Sequence, residues 1–192
     1  MEFKTAACPV IGIMRFLEIQ RGKGGMKSKR FNQEVGATAG CTLRLLLEGI
    51  PIESDQSHGI RADAWFGSIR TASENSRHGH EGMFQDKQYH SLFPKAFIEE
   101  ALKEAPGGVH SILEGKTQCE VPFIAVGYRY SRKTILHFIL TKKAGSLKEG
   151  KPYEMKYTDS YGNVCTHYIE CPDAISKIFA TSKFIDTHNQ LR

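Results

Sequence analysis

From Val109 onward the chain reads as one strand after another, and this run constrains the fold more than any other feature. Val109 to Glu114, Val121 to Tyr130, Thr134 to Thr141, Tyr153 to Thr158 and Val164 to Ile169 are short and rich in β-branched and aromatic residues. Lys142 to Lys151 is a polar loop with two glycines, and Asp159-Ser160-Tyr161-Gly162-Asn163 is a strong hairpin turn between the last two strands. A chain with this run must build a sheet. The flanking segments decide what covers it.

Upstream, helical and strand patterns mix. Phe3 to Cys8 and Gly12 to Gln20 read as two strands joined by a turn at Pro9, and Arg21 to Arg30 as a basic, glycine-rich loop. Ala37 to Glu48 places Leu43, Leu46 and Leu47 at helical spacing, although Thr38 and Gly40 weaken that pattern. Gly59 to Asp63 is a short strand, Ser68 an N-cap for a helix toward Arg77, and Gly82 to Gln88 another strand. Pro94 to Glu104 is a helix with proline at its start and Ala105-Pro106-Gly107-Gly108 as its stop. A final helix starts at Pro172 or Asp173 and runs through Ile175, Ile178 and Phe179. The expected class is α/β, divided into 1–108, a β-rich insertion at 109–171, and a returning helix at 172–192.

Composition narrows the function classes. The chain has 192 residues, enough for one well-cored domain or a domain with an insertion. A formal charge of +5 permits an anionic partner without requiring one. The longest aliphatic run, Thr134 to Thr141, is too short to span a bilayer, and the N-terminus lacks the pattern of a signal peptide. Cys8, Cys41, Cys119, Cys165 and Cys171 are odd in number and scattered, which suits a reducing compartment. The last helix carries no stop signal, so the expectation is a piece of a longer chain.

The candidate chemistry sits in Arg61-Ala62-Asp63-Ala64-Trp65-Phe66-Gly67-Ser68, where a short strand delivers an acid to its end and then turns into a helix. Open α/β sheets place ligands and metals at such an edge. Taken alone, Asp63 reads as a cap of the following helix, Trp65 and Phe66 as packing under the strand edge, and a second acid, Asp186, as a solvated helix residue. Cys165, His167 and Cys171 share a strand face but lack tetrahedral spacing, so they read as core-facing residues rather than zinc ligands. His78 and His80 flank a glycine in a loop. Gly22-Lys23-Gly24 is not a P-loop.

Ala62 to Ser68 resembles the second-aspartate motif of piggyBac-type transposases, approximately Asp-x-(aromatic)-Phe-x-Ser. Phe184-Ile185-Asp186-Thr187-His188-Asn189-Gln190 is similar to the third-aspartate region of that family, with Asn189 where the family commonly has a further acid. The strands around Glu2-Phe3-Lys4 and Gly12-Ile13-Met14 resemble those that follow the family's first aspartate. The resemblance implies an RNase H-like mixed sheet with flanking helices, interrupted by the β-rich insertion. It also implies that Asp63 and Asp186 are catalytic metal ligands for Mg²⁺ or Mn²⁺, which activates water or a 3′-hydroxyl against a phosphodiester. The strand bearing the family's first aspartate has no counterpart here, and neither do its N-terminal DNA-binding segments or C-terminal zinc module. The expected function is therefore a fragment of a transposase domain, ancestrally cleaving and joining DNA at transposon ends but inactive as this chain. The alternative is a domesticated remnant that binds DNA or protein without catalysis.

Lys23, Lys27, Lys29 and Arg30 in the glycine-rich segment are candidate nucleic-acid contacts, as are Arg129, Arg132 and Lys133 beside Tyr128 and Tyr130. Solvated hairpin tips look the same. By the resemblance, the partner is DNA, a homodimer is allowed, no membrane is involved, and the location is nuclear or otherwise cytoplasmic.

Overall fold

The computed structural model describes residues 2–8, 10, 13–49, 58–86, 92–141 and 147–190, and of residues 2, 23 and 183–190 the backbone alone. Its centre is a five-stranded mixed sheet. The sheet contains β3 (Gly59–Ala62), β4 (Glu81–Gln85), β5 (His110–Lys116), β6 (Pro122–Ser131) and β7 (Thr134–Thr141). The spatial order is β3-β4-β7-β6-β5, with β3 and β4 parallel and the other neighbours antiparallel. Three of the five strands expected in the insertion at 109–171 thus belong to the same sheet as β3 and β4.

Alternation along β6 and β7 gives the sheet two buried faces. On one face Met83, Val126, Tyr128, Phe138 and Leu140 pack against Ala174, Ile175 and Ile178 of α6 (Asp173–Gln190). The i, i+1, i+4 spacing of those α6 residues puts them on one side of the helix, the apolar stripe of a helix laid on a sheet. Beside α6 lies a separate hairpin of β8 (Tyr153–Thr158) and β9 (Val164–Ile169). Asp159 closes its turn by accepting from the Tyr161 and Asn163 amides, both at 2.9 Å. On the other face Phe84, Ala125 and Ile139 pack against Ile69 and Ala72 of α4 (Ile69–Arg77) and Ile98 of α5 (Lys95–Ala101). Burying each large apolar side chain here contributes about 1.5–3 kcal/mol.

The N-terminal unit is a hairpin of β1 (Glu2–Cys8) and β2 (Ile13–Gln20), antiparallel with a register shift between Ala6 and Ala7. The turn expected at Pro9 lies outside the described residues. The expected glycine-rich loop is instead two short helices, α1 (Gly22–Met26) and α2 (Asn32–Val35), followed by α3 (Ala37–Leu47). Gly40, which weakened the α3 pattern, is where α2 crosses: a Cβ there would lie 2.4 Å from Asn32 Oδ1. The packing of two helices, not helix propensity, selects glycine at this position.

A buried ion pair ties α3 to β2. Arg44 Nε and Nη2 donate to the Glu18 carboxylate at 2.6 and 2.9 Å, and Arg44 Nη1 donates to Asn32 Oδ1 at 2.7 Å. Burial pushes the Glu18 carboxyl up, but the Arg44 hydrogen bonds and charge outweigh it and hold Glu18 below its ordinary value. Burial and the Glu18 charge push the neighbouring Cys41 thiol up to about 12, so Cys41 is an inert core thiol.

Candidate functional site

β3 and β4 run parallel with Ala62 opposite Phe84, so both deliver their C-terminal ends to one edge of the sheet. Asp63 follows directly on β3 and is exposed. Its Oδ1 accepts from the Trp65 amide at 2.8 Å, and its carbonyl accepts from the Phe66 and Gly67 amides at 3.1 Å. Asp63 therefore organises the tight turn from strand to helix, an Asx-type arrangement. It is not the helix cap: Ser68 is, with its Oγ accepting from Thr71 N at 3.0 Å.

Gly67 explains the shape of this turn. A Cβ at Gly67 would lie 1.6 Å from the Gln85 carbonyl oxygen, so the turn rests directly on the backbone of β4. The aromatic pair stands beside it. Trp65 and Phe66 meet edge to face at 4.7 Å, and the Lys4 ammonium of β1 lies 3.7 Å over the Trp65 ring. Both rings are half-buried, which places them at the strand edge rather than in the core.

Asp63 opens onto a cleft of about 380 Å³ between β1 and β3, with Leu45 and Leu46 of α3 and Thr181 of α6 among its lining. Ile60 and Ala62 pack toward α4 and α5, so alternation turns Arg61 and Asp63 toward the α6 side. Asp186 lies on the same helix as Thr181, about 1.4 turns further on. Its side chain lies outside the described residues.

A second acid at this edge escaped the sequence reading. Asp86 follows β4 as Asp63 follows β3, and it is buried, with its amide donating to the His137 carbonyl at 2.8 Å. The signal was available: both acids end parallel strands. Asp86 shares the parity of Phe84 and so turns to the opposite face from Asp63. Among the described residues no group of three or more His, Cys, Asp or Glu side chains gathers to hold a metal. Cys171 packs into the core, where burial raises its thiol to about 11.

The basic candidates divide. Lys27, Arg30, Arg132 and Lys133 are exposed, Arg30 lying 4.5 Å over the Phe31 ring. Lys29 is partly committed, donating to the Ile19 carbonyl at 3.3 Å beside Glu18. The Lys23 side chain lies outside the described residues. Arg129 does not belong to the exposed surface expected of it: it is 6% exposed and donates to the carbonyls of Leu102, Lys103 and Arg132. It closes the C-terminal end of α5, where carbonyls without helical partners attract a cation. The alternation Tyr128-Arg129-Tyr130 that looked like a nucleic-acid surface is the two-faced pattern of a buried strand. His80 is half-buried 5.8 Å from the His58 ring, and burial together with the His58 and His78 charges lowers its value.

No protein-family model matches this chain, and no curated protein matches it either. Its fold is similar to a solved structure, the piggyBac transposase synaptic complex with hairpin DNA determined by cryo-EM, with a TM-score of 0.58 and 14% identity. The alignment covers 94% of this chain and 31% of the transposase, so the chain spans about a third of its neighbour's length. At that identity the likeness is one of fold: a mixed α/β architecture compatible with that of a piggyBac transposase. No helix among the described residues is long and apolar enough to cross a membrane.

Proposed function

We propose that the chain is part of a piggyBac-like transposase core of RNase H-like type, whose ancestral reaction is metal-dependent cleavage and transfer of DNA strands at transposon ends. One observation carries the reading: on a fold similar to such a transposase, Asp63 ends a parallel strand at a cleft that α6, the helix of Asp186, also lines. Strand ends of this kind present carboxylates to ligands without moving the backbone.

The proposed cofactor is Mg²⁺ or Mn²⁺, held by Asp63 and Asp186, which would supply an activated oxygen nucleophile. The described residues do not make a complete site for it. Asp63 already uses Oδ1 on the Trp65 amide, and no third donor joins it. No catalytic step through the ion follows from this arrangement, and we propose that these 192 residues cleave no DNA by themselves. DNA contact falls instead to Lys27, Arg30, Arg132 and Lys133. A nuclear location and a homodimer belong to the same proposal. The exposure of Lys27, Arg30, Arg132 and Lys133 also suits a second reading, a non-catalytic remnant that binds DNA or protein.

The test is duplex binding across a salt series, with a nicking assay in Mg²⁺ and Mn²⁺. Four phosphate contacts predict a slope of log affinity against log salt of about −3.6. Replacing the four side chains by glutamine should flatten it. Absence of salt-dependent binding would remove DNA and leave the protein-binding reading. Cleavage lost on Asp63→Ala would overturn the proposed inactivity. Cleavage that survived both Asp63→Ala and Asp186→Ala would overturn the ligand assignment.

A further inference from the structure

β8 and its flanks carry a charge pattern that is symmetric about Met155. Lys151 mirrors Asp159 and Glu154 mirrors Lys156, each charge answering one of opposite sign, while Tyr153 mirrors Tyr157. The hairpin itself does not use this symmetry across its strands, since Glu154 faces Tyr168 and Lys156 faces Thr166 of β9. The Glu154 and Lys156 side chains pair along the strand at 3.5 Å and remain 48% and 67% exposed.

The turn shows which way the backbone of β8 points. The Asp159 amide donates to the Asn163 carbonyl at 3.0 Å, and opposed residues of an antiparallel pair alternate between bonded and non-bonded. Counting back from there, Tyr153, Met155 and Tyr157 turn their backbone groups toward β9, and Glu154, Lys156 and Thr158 turn theirs away. β9 is the one strand that pairs with β8 among the described residues, so Glu154, Lys156 and Thr158 form an open edge. Exposed edges of this type are templates for a further strand.

We propose that this edge pairs with the β8 edge of a second copy of the chain, antiparallel about a two-fold axis at Met155. Charge complementarity selects the occupant: about that axis every charge from Lys151 to Asp159 meets its opposite on an identical strand. Glu154 of one copy and Lys156 of the other then exchange both backbone hydrogen bonds, and their four side chains alternate in sign on the exposed face. Moving the axis by one residue sets Glu154 against Glu154 or Lys156 against Lys156, so like charges fix the register. Pro152 falls opposite Thr158 at the ends of the ladder, where its carbonyl accepts and its missing N–H leaves an end open to water. The inference assigns a surface to the homodimer and does not rest on the transposase reading, so failure of the DNA assays would leave it standing.

The experiment is sedimentation equilibrium of the 192-residue protein from about 5 to 300 µM, since a single strand pair makes a small interface of the weak, transient kind. Amide hydrogen exchange is compared at the two ends of that range. A reversible dimer should form, and exchange at Glu154, Lys156 and Thr158 should slow as concentration rises. Glu154→Lys or Lys156→Glu places like charges opposite one another at both symmetric positions and should weaken the dimer about tenfold or more. Both side chains are exposed, so neither change should lower Tm by more than a few degrees. Mixing the two single variants restores opposite charges at both positions and should give a heterodimer as tight as the unaltered dimer. The variant carrying both changes should again dimerise alone. A monomer at every concentration, a dimer that neither single change weakens, or a mixture no tighter than its components would each overturn the proposal.

Discussion

Replacing Arg44 by methionine should be among the most damaging single changes to the N-terminal unit. Arg44 and Glu18 are each 4% exposed at the side chain, and three of the arginine's nitrogens have acceptors. The variant keeps much of the side-chain volume but leaves the Glu18 carboxylate buried without its hydrogen-bonded cation, with only the half-buried Lys29 at 3.7 Å in its place. Breaking a buried pair from one side costs about 3–5 kcal/mol, a large part of a typical stability of about 5–15 kcal/mol. Urea unfolding followed by far-UV circular dichroism measures the loss. The pH dependence separates electrostatics from packing. In the native protein Glu18 is held below 4.5, so its contribution is present above that value and is lost as pH falls through the folded-state value. In the variant burial is opposed only by the Gln20 and Cys41 hydrogen bonds and by Lys29, so Glu18 rises relative to the native protein and protonation relieves part of the penalty as pH falls. The difference between the two proteins should therefore be largest near neutral pH and shrink toward pH 4.5. Adding Glu18→Gln to the variant should restore part of the loss. A loss below about 1 kcal/mol, or one that stays constant with pH, would refute the reasoning.

Three further outcomes follow from the geometry. Gly67→Ala forces a Cβ against the Gln85 carbonyl and should destabilise by about 3 kcal/mol or more, read by denaturant midpoint, with β3 and β4 losing exchange protection first. Arg129→Met should lower Tm while leaving DNA affinity unchanged in any protein that remains folded, whereas Arg132→Gln with Lys133→Gln should lower DNA affinity at unchanged Tm. Burial lowers both His80 and His137, so their contribution is complete above the ordinary value of 6.5 and declines as pH falls below it; His137→Gln should flatten that part of the stability profile.

The order of strands and helices was largely legible in the sequence because its signals are local. The Ser68 cap, the Asp159 turn, the apolar stripe of α6 and the stop after α5 each depend on residues within a few positions of one another. The two short helices α1 and α2 were not legible, since Gly22, Gly24 and Gly25 oppose helix formation and their order comes from contacts such as Asn32 with Met26 and Arg44. The Ala62 to Ser68 motif likewise placed an acid at a strand end, with glycine and serine where the turn and the cap need them.

What only the tertiary structure decided is which partner each side chain and each strand takes. Arg129 and Arg132 are both basic residues near one hairpin, yet one closes a helix inside the protein and the other faces water. The strands after Val109 look like a separate unit until β7 pairs with β4, a choice made across more than fifty positions of chain. Asp63 and Asp86 end neighbouring strands but point to opposite faces, because the parity of each strand is set by the core it covers. The sequence by itself determined most of the elements, α1 and α2 excepted, and the acid at the end of β3. The fold decided that this acid opens onto the cleft between β1 and β3, because a cleft exists only once distant segments have been brought side by side.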